Sequence, residues 1–181
     1  MRRMNYSTVS SPSASLRERW WVGIGLAIVV VAAFVWTAMA APSAPQVTFN
    51  TVDGAPLPSE RLRGRLTLVN FWSTTCSVCM QEMPHLTQTY RDFHERGFDV
   101  VAVAMPYDRP DWVLDYTQRE RLPFKVAIDF DGKVNRAFGG IDSTPTAFLI
   151  DAQGKIVSRI VGAPDYEKLR GRIEAQLRAL P

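Results

Sequence analysis

The chain has 181 residues, 46% of them hydrophobic and 22% charged, which suits one domain with a single core. Its formal charge of +3 is concentrated at one end: four of the 21 Lys and Arg and one of the 18 Asp and Glu precede residue 20, leaving 17 of each sign beyond it. The body of the chain is therefore neutral, which argues against a basic nucleic-acid-binding surface, and its two cysteines, Cys76 and Cys79, are too few for a four-cysteine zinc site.

Residues 1–19 are rich in Ser and Arg and read as a cytoplasmic segment. Residues 20–41 carry no charge; at about 1.5 Å per residue such a run crosses the roughly 30 Å hydrocarbon layer as one helix. Arg2, Arg3, Arg17 and Arg19 precede it and the next charge is Asp53, so positive residues kept inside place everything downstream outside the cytoplasm. Trp20, Trp21 and Trp36 suit the aromatic belts at the two interfaces. A cleaved secretory signal is the competing reading, because Ala38-Met39-Ala40 has the small-x-small look of a processing site. The apolar run is longer than the roughly 7–15 residues of a signal core, which favours a retained anchor. The expectation is a single-pass protein of the cytoplasmic membrane with its domain facing the periplasm. Residues 42–46 read as a linker and residues 47–181 as the domain.

Within that domain, residues 47–50 predict a short strand, followed by a turn at Asp53-Gly54, a loop beginning at Pro56 and a helical turn ending at Gly64. Residues 66–72 are apolar on both faces, as a central strand covered on two sides must be. A helix follows Cys76 to about Arg96, with Gly97 placed to end it and Pro84 placed to kink it. Residues 98–105 predict a second buried strand, and residues 110–120 a helix with Trp112, Val113 and Tyr116 on helical spacing. Next come a short strand over 124–128, a short helix over 134–138 stopped by Gly139-Gly140, and a hairpin over 146–160. An amphipathic helix over 165–180, with Tyr166, Leu169, Ile173 and Leu177 on one side, closes the chain. Strands and helices alternate before the final hairpin and helix, which indicates an α/β domain with a central mixed sheet flanked by helices on both faces.

Cys76 stands where the central strand gives way to a helix. The unpaired N–H groups there and the positive end of the helix dipole favour a thiolate over a thiol, which makes Cys76 the attacking sulfur. Cys79 lies one turn later on the same face, close enough to close a disulfide. A purely structural disulfide gains most by closing a long loop, and this one closes almost none. A zinc site completed by His85 and His94 would need all its ligands on one helix. The pair therefore reads as a redox centre.

Residues Phe71-Trp72-Ser73-Thr74-Thr75-Cys76-Ser77-Val78-Cys79 with Glu82 and Pro84, then Thr144-Pro145-Thr146-Ala147-Phe148-Leu149-Ile150-Asp151 and Gly154-Lys155-Ile156, resemble the thioredoxin fold. Within it they are most similar to the membrane-anchored, extracytoplasmic thiol-disulfide reductases of the TlpA and ResA type. The resemblance implies a thioredoxin-like domain of four helices around a mixed sheet, preceded by one transmembrane helix. It also implies a reductase of partner-protein disulfides, often in cytochrome c or oxidase assembly. By resemblance Cys76 is the nucleophile, Cys79 the resolving cysteine and Pro145 a cis-proline beside the disulfide, while Trp72 and Thr144 join Pro145 in contacting substrate. Glu82 matches a glutamate that influences the thiol pKa values, since a carboxylate near two sulfurs raises the cost of a thiolate and can relay its proton. The implied partners are cysteine-containing extracytoplasmic proteins and a transmembrane thiol electron donor, with no cofactor and no metal.

Two departures stand out. Asn70 replaces the buried aspartate of cytoplasmic thioredoxins, which moves proton handling to Glu82 or water, and Ser77-Val78 lacks the proline often found before the second cysteine. Three rivals remain open at this stage. One is an oxidase of the same fold, and another is a thiol peroxidase, which would want threonine where Ser73 stands. The third is a copper-delivery module using Cys76, Cys79 and a histidine.

Overall fold

A computed structural model describes residues 41–179 together with Val29 and Val31. Apart from Val29, Val31 and Ala41, the apolar run of residues 20–41 lies outside the described residues, as do residues 1–19; among the described residues no helix is long and apolar enough to cross a membrane. The described domain has seven strands and four α-helices. The strands are β1 (Thr48–Asn50), β2 (Pro56–Pro58), β3 (Leu66–Trp72), β4 (Phe98–Ala104), β5 (Lys125–Ile128), β6 (Thr146–Ile150) and β7 (Ile156–Val161). The helices are α1 (Ser77–Phe93), α2 (Pro110–Arg119), α3 (Lys133–Ala137) and α4 (Tyr166–Arg178).

Five strands form the main sheet in the order β5-β4-β3-β6-β7. β3, β4 and β5 run parallel, while β6 is antiparallel to β3 and β7 to β6. Because neighbouring residues of a strand point to opposite faces, β3 feeds two separate cores. Leu66, Leu68 and Trp72 enter a cluster with Met83, Leu86 and Phe93 of α1, Val113 of α2, and Leu169 and Ile173 of α4. Val69 and Phe71 enter the other, against Phe49, Val134, Phe138, Phe148 and Ile150. Three helices thus cover one face, and the other is closed by the short α3 and the β1–β2 hairpin.

The structure revises three local expectations. The stretch read as a loop at Pro56 is β2, an antiparallel partner of β1 with Phe49 opposite Leu57. Its two prolines are tolerated because a two-stranded sheet is all edge. Residues 42–44, read as linker, are bound to the β6–β7 turn: Ala44 N–H donates to Gly154 O and Ile156 N–H to Pro42 O, both at 2.8 Å. Trp112, placed on the apolar stripe of α2 by spacing, is 46% exposed, with the Arg109 guanidinium 4.7 Å from its ring centre. Where the sequence predicts a first helix to about Arg96, α1 stops at Phe93 and a 3₁₀ turn over His94–Arg96 leads to Gly97, which ends it as expected with a φ of 102° that only glycine adopts cheaply.

Candidate active site

The site is assembled at the C-terminal edge of the parallel strands. β3 ends at Trp72, a tight turn follows, and Cys76 caps the N-terminus of α1, accepting the Cys79 N–H on its Sγ at 3.2 Å. Cys76 and Cys79 are joined in a disulfide with their Cα atoms 5.2 Å apart. The two cysteines differ in access: Cys79 is 2% exposed, whereas Cys76 is half-buried. With the Cys79 N–H directed at its Sγ and the positive end of the helix dipole beneath it, a thiolate formed at Cys76 is stabilised by both hydrogen bonding and the dipole.

The turn before Cys76 is held by a residue that the sequence did not reveal. Asp108, 7% exposed in the loop between β4 and α2, accepts the Thr74 N–H at 2.6 Å, the Thr74 hydroxyl at 2.5 Å and the Arg109 N–H at 2.9 Å. Only a carboxylate, with two acceptor oxygens and no donor, satisfies all three. The signal that could have found it is its place just after a buried strand and ahead of a proline-started helix. Ser73 is fully buried and its hydroxyl engages the Thr75 N–H and hydroxyl, at 3.2 and 2.9 Å.

From the other side comes the loop before β6. The Thr144–Pro145 peptide bond is cis, and the Thr144 carbonyl oxygen lies 3.5 Å from Cys76 Sγ. The loop is fastened by Gly162 N–H donating to Pro145 O at 2.8 Å and by the Thr146 hydroxyl donating to Ser143 O at 2.8 Å. Pro145 is buried and Thr144 half-buried beside the disulfide. Trp72, expected among the substrate contacts, is 0% exposed and packs on Tyr116 with ring centres 5.6 Å apart. Its side chain therefore offers no surface to a partner and belongs to the core cluster that also holds Cys79 and Met83.

Glu82 follows Cys79 by one helical turn and is 8% exposed, with Oε1 buried and without a hydrogen-bond partner. Burial raises its pKa from 4.5 to about 7, because an ionised carboxylate loses its hydration there with nothing to replace it. Asn70 is buried on the same face of β3 as Trp72. The two histidines lie elsewhere on α1 and just beyond it: His85 rests on Tyr166 with ring centres 5.1 Å apart, and His94 stacks on Tyr90 at 4.4 Å. Among the described residues no three or more His, Cys, Asp or Glu stand together as a metal site requires. Val78 between the two cysteines is 41% exposed, and at the same edge of the sheet Tyr107, Phe130 and Val161 are 63%, 61% and 60% exposed.

A half-buried cysteine at a helix start, a fully buried partner cysteine and a cis-proline loop form an arrangement suited to thiol-disulfide exchange. Residues 39–177 match the Redoxin family. The chain belongs to the Redoxin family. It is 33% identical over 132 residues to the thiol-disulfide oxidoreductase ResA of Bacillus thuringiensis, covering 72% of this chain and 75% of that one. Among solved structures, it resembles a protein of Neisseria meningitidis described as a thioredoxin, with 36% identity, a TM-score of 0.71, and coverage of 77% and 92%. It also resembles a thiol:disulfide interchange protein of the thioredoxin family from Chlorobium tepidum, with 31% identity, a TM-score of 0.70, and coverage of 76% and 97%. This Redoxin protein is a thioredoxin-fold thiol-disulfide oxidoreductase of the TlpA/ResA type.

Proposed function

We propose that this oxidoreductase works as a reductant of partner-protein disulfides outside the cytoplasm, held to the membrane by residues 20–41. The observation that carries the reading is the Cys76–Cys79 disulfide at the start of α1, with one sulfur reachable and the other buried. In the reduced enzyme the Cys76 thiolate attacks one sulfur of a partner disulfide, and the second partner sulfur leaves as a thiolate and takes up a proton. Cys79 then gives up its proton and attacks Cys76, breaking the mixed disulfide. The partner leaves as a dithiol, having gained two electrons and two protons, and the enzyme is left in the disulfide form seen here. A dithiol electron donor, expected to reach across the membrane, restores it, because the bacterial periplasm is kept oxidising. The clients would be extracytoplasmic proteins whose cysteines must be free before use, the class that cytochrome c and oxidase assembly requires.

The direction is supported by the surroundings of Cys76. A strong oxidant stabilises its reduced form by stabilising the thiolate, and neither residue between the cysteines, Ser77 or Val78, carries a positive charge to add to the helix N-terminus. Glu82 pulls the other way, since a second ionisation close to a thiolate is costly. The exposed apolar side chains at the sheet edge that carries the disulfide favour a polypeptide partner over a small thiol.

Equilibration of the protein with thiol-disulfide buffers tests the direction. A midpoint near that of thioredoxin, about −270 mV, is expected; one near about −120 mV, typical of a strong oxidase, overturns it. A Cys79→Ser variant should accumulate mixed disulfides through Cys76, and the trapped proteins identify the clients.

A further inference from the structure

Tyr166 begins α4, far from Cys76 in sequence, yet it meets α1 at the turn that carries Glu82. Its hydroxyl donates to the Glu82 backbone carbonyl at 3.2 Å. Its ring packs against the core cluster that holds Cys79 and Met83, and His85 leans on it at an interplanar angle of 36°. This part of α1 needs outside support. Pro84 has no N–H, so the carbonyl four residues earlier, that of Met80, loses its place in the helical ladder. Tyr166 supplies a hydrogen bond from a neighbouring helix to the same turn.

The charged groups near this contact are otherwise occupied. On α4, Lys168 pairs with Asp165 at 2.9 Å and Arg170 pairs with Asp92 at 2.7 Å. On α1, His85 packs against the Tyr166 ring with the centres 5.1 Å apart. Among the described residues, burial is the cause of the raised Glu82 pKa. The Tyr166 hydroxyl in turn is held above its ordinary pKa by burial first and by the Glu82 charge second.

We propose that Tyr166 is a positioning residue acting through Glu82: packed against the turn of α1 that carries the carboxyl, its ring keeps that carboxyl out of water. The inference rests on the reading of Glu82 as the proton-handling group beside Cys79. It brings the C-terminal helix, which contains no redox motif, into control of the disulfide.

The test is the titration of the Glu82 carboxyl carbon in the oxidised full-length protein labelled with ¹³C-glutamate, its signal assigned by loss in Glu82→Gln. Tyr166→Ala should move the midpoint down by about one pH unit or more, as hydration returns to the carboxylate. Tyr166→Phe, which keeps the ring, should hold it within a few tenths of the parent value. Tyr166→Gln, which retains much of the side-chain volume and replaces the ring by an amide, should also lower it and serves where the alanine variant does not fold. An unchanged midpoint in a folded Ala or Gln variant overturns the proposal, and so does an equal fall in the Phe variant. The role of Glu82 itself is read separately, from the pH dependence of Cys76 and Cys79 alkylation in Glu82→Gln. That profile can stay at the parent value while Tyr166→Ala still shifts the carboxyl, so the two readings fail independently.

Discussion

Replacing Glu82 by Gln should stabilise the oxidised protein at neutral and alkaline pH and leave it almost unchanged at pH 4. In the folded protein the carboxyl titrates near 7 instead of 4.5. Below pH 4.5 it is protonated in both folded and unfolded chains and costs nothing. Between pH 4.5 and 7 the unfolded chain releases the proton while the folded one keeps it, so stability falls as pH rises and the loss is complete above pH 7. At 1.36 kcal/mol per pH unit the interval corresponds to about 3 kcal/mol, and partial access of water brings the expectation to about 2 kcal/mol. Glutamine has nearly the shape of protonated glutamate and cannot ionise, so it matches the parent at pH 4 and escapes the loss at pH 8. Urea unfolding at the two pH values measures this; a gain of about 1 M in midpoint at pH 8, with coincident curves at pH 4, is expected. A Gln variant that shares the parent's pH dependence, or is less stable at pH 8, would show that the buried carboxyl is not the source of the cost.

Asp108→Ala strips the acceptors from the Thr74 and Arg109 N–H groups, and should cost about 2–4 kcal/mol, visible as a fall of about 10 °C in melting temperature; a fall under about 2 °C would mean the turn holds itself. Phe71→Ala empties the contact with Phe138 and Phe148, whose ring centres lie 5.3 and 6.0 Å away, and should lose about 3–5 kcal/mol in denaturant titrations. Asn135→Ala removes bonds to both the N–H and the carbonyl of Ile141, each 3.1 Å. Its expected cost is about 1–2 kcal/mol, with faster amide exchange in the loop leading to Pro145 as the local readout.

Most of the sheet was legible because its signals are local. Leu66–Trp72 appears with the predicted bounds, and the disulfide-bearing turn lies where strand composition gives way to helix composition. Gly97 and Asp165 mark helix ends through their own backbone and cap chemistry. What escaped depends on partners distant in the chain. Asp108 is one more acidic residue until Thr74 folds onto it from 34 positions away. Tyr166 reads as one apolar position of an amphipathic stripe, and nothing local says that its hydroxyl meets Glu82 across 84 residues. Trp112 failed in the opposite sense: helical spacing defines a stripe but not its edges, and the Arg109 guanidinium gives the ring a partner at the surface. Pro145 became legible only through the resemblance, since most X-Pro bonds are trans.

On the proposed reading, the uneven burial of the two sulfurs decides which step depends on Glu82. An incoming sulfur meets Cys76, which the start of α1 already favours as a thiolate. The second attack must come from Cys79, whose position at 2% exposure makes a thiolate expensive. Its proton needs an acceptor nearby, and a group is best matched to that task when its own pKa lies near the working pH. Glu82, one turn beyond and titrating at about 7 in the disulfide form, meets the requirement, whereas an ordinary surface glutamate would be too weak a base. Release of the reduced partner, rather than capture of the oxidised one, is therefore the step that Glu82 governs, and through Glu82 the closing helix of the fold.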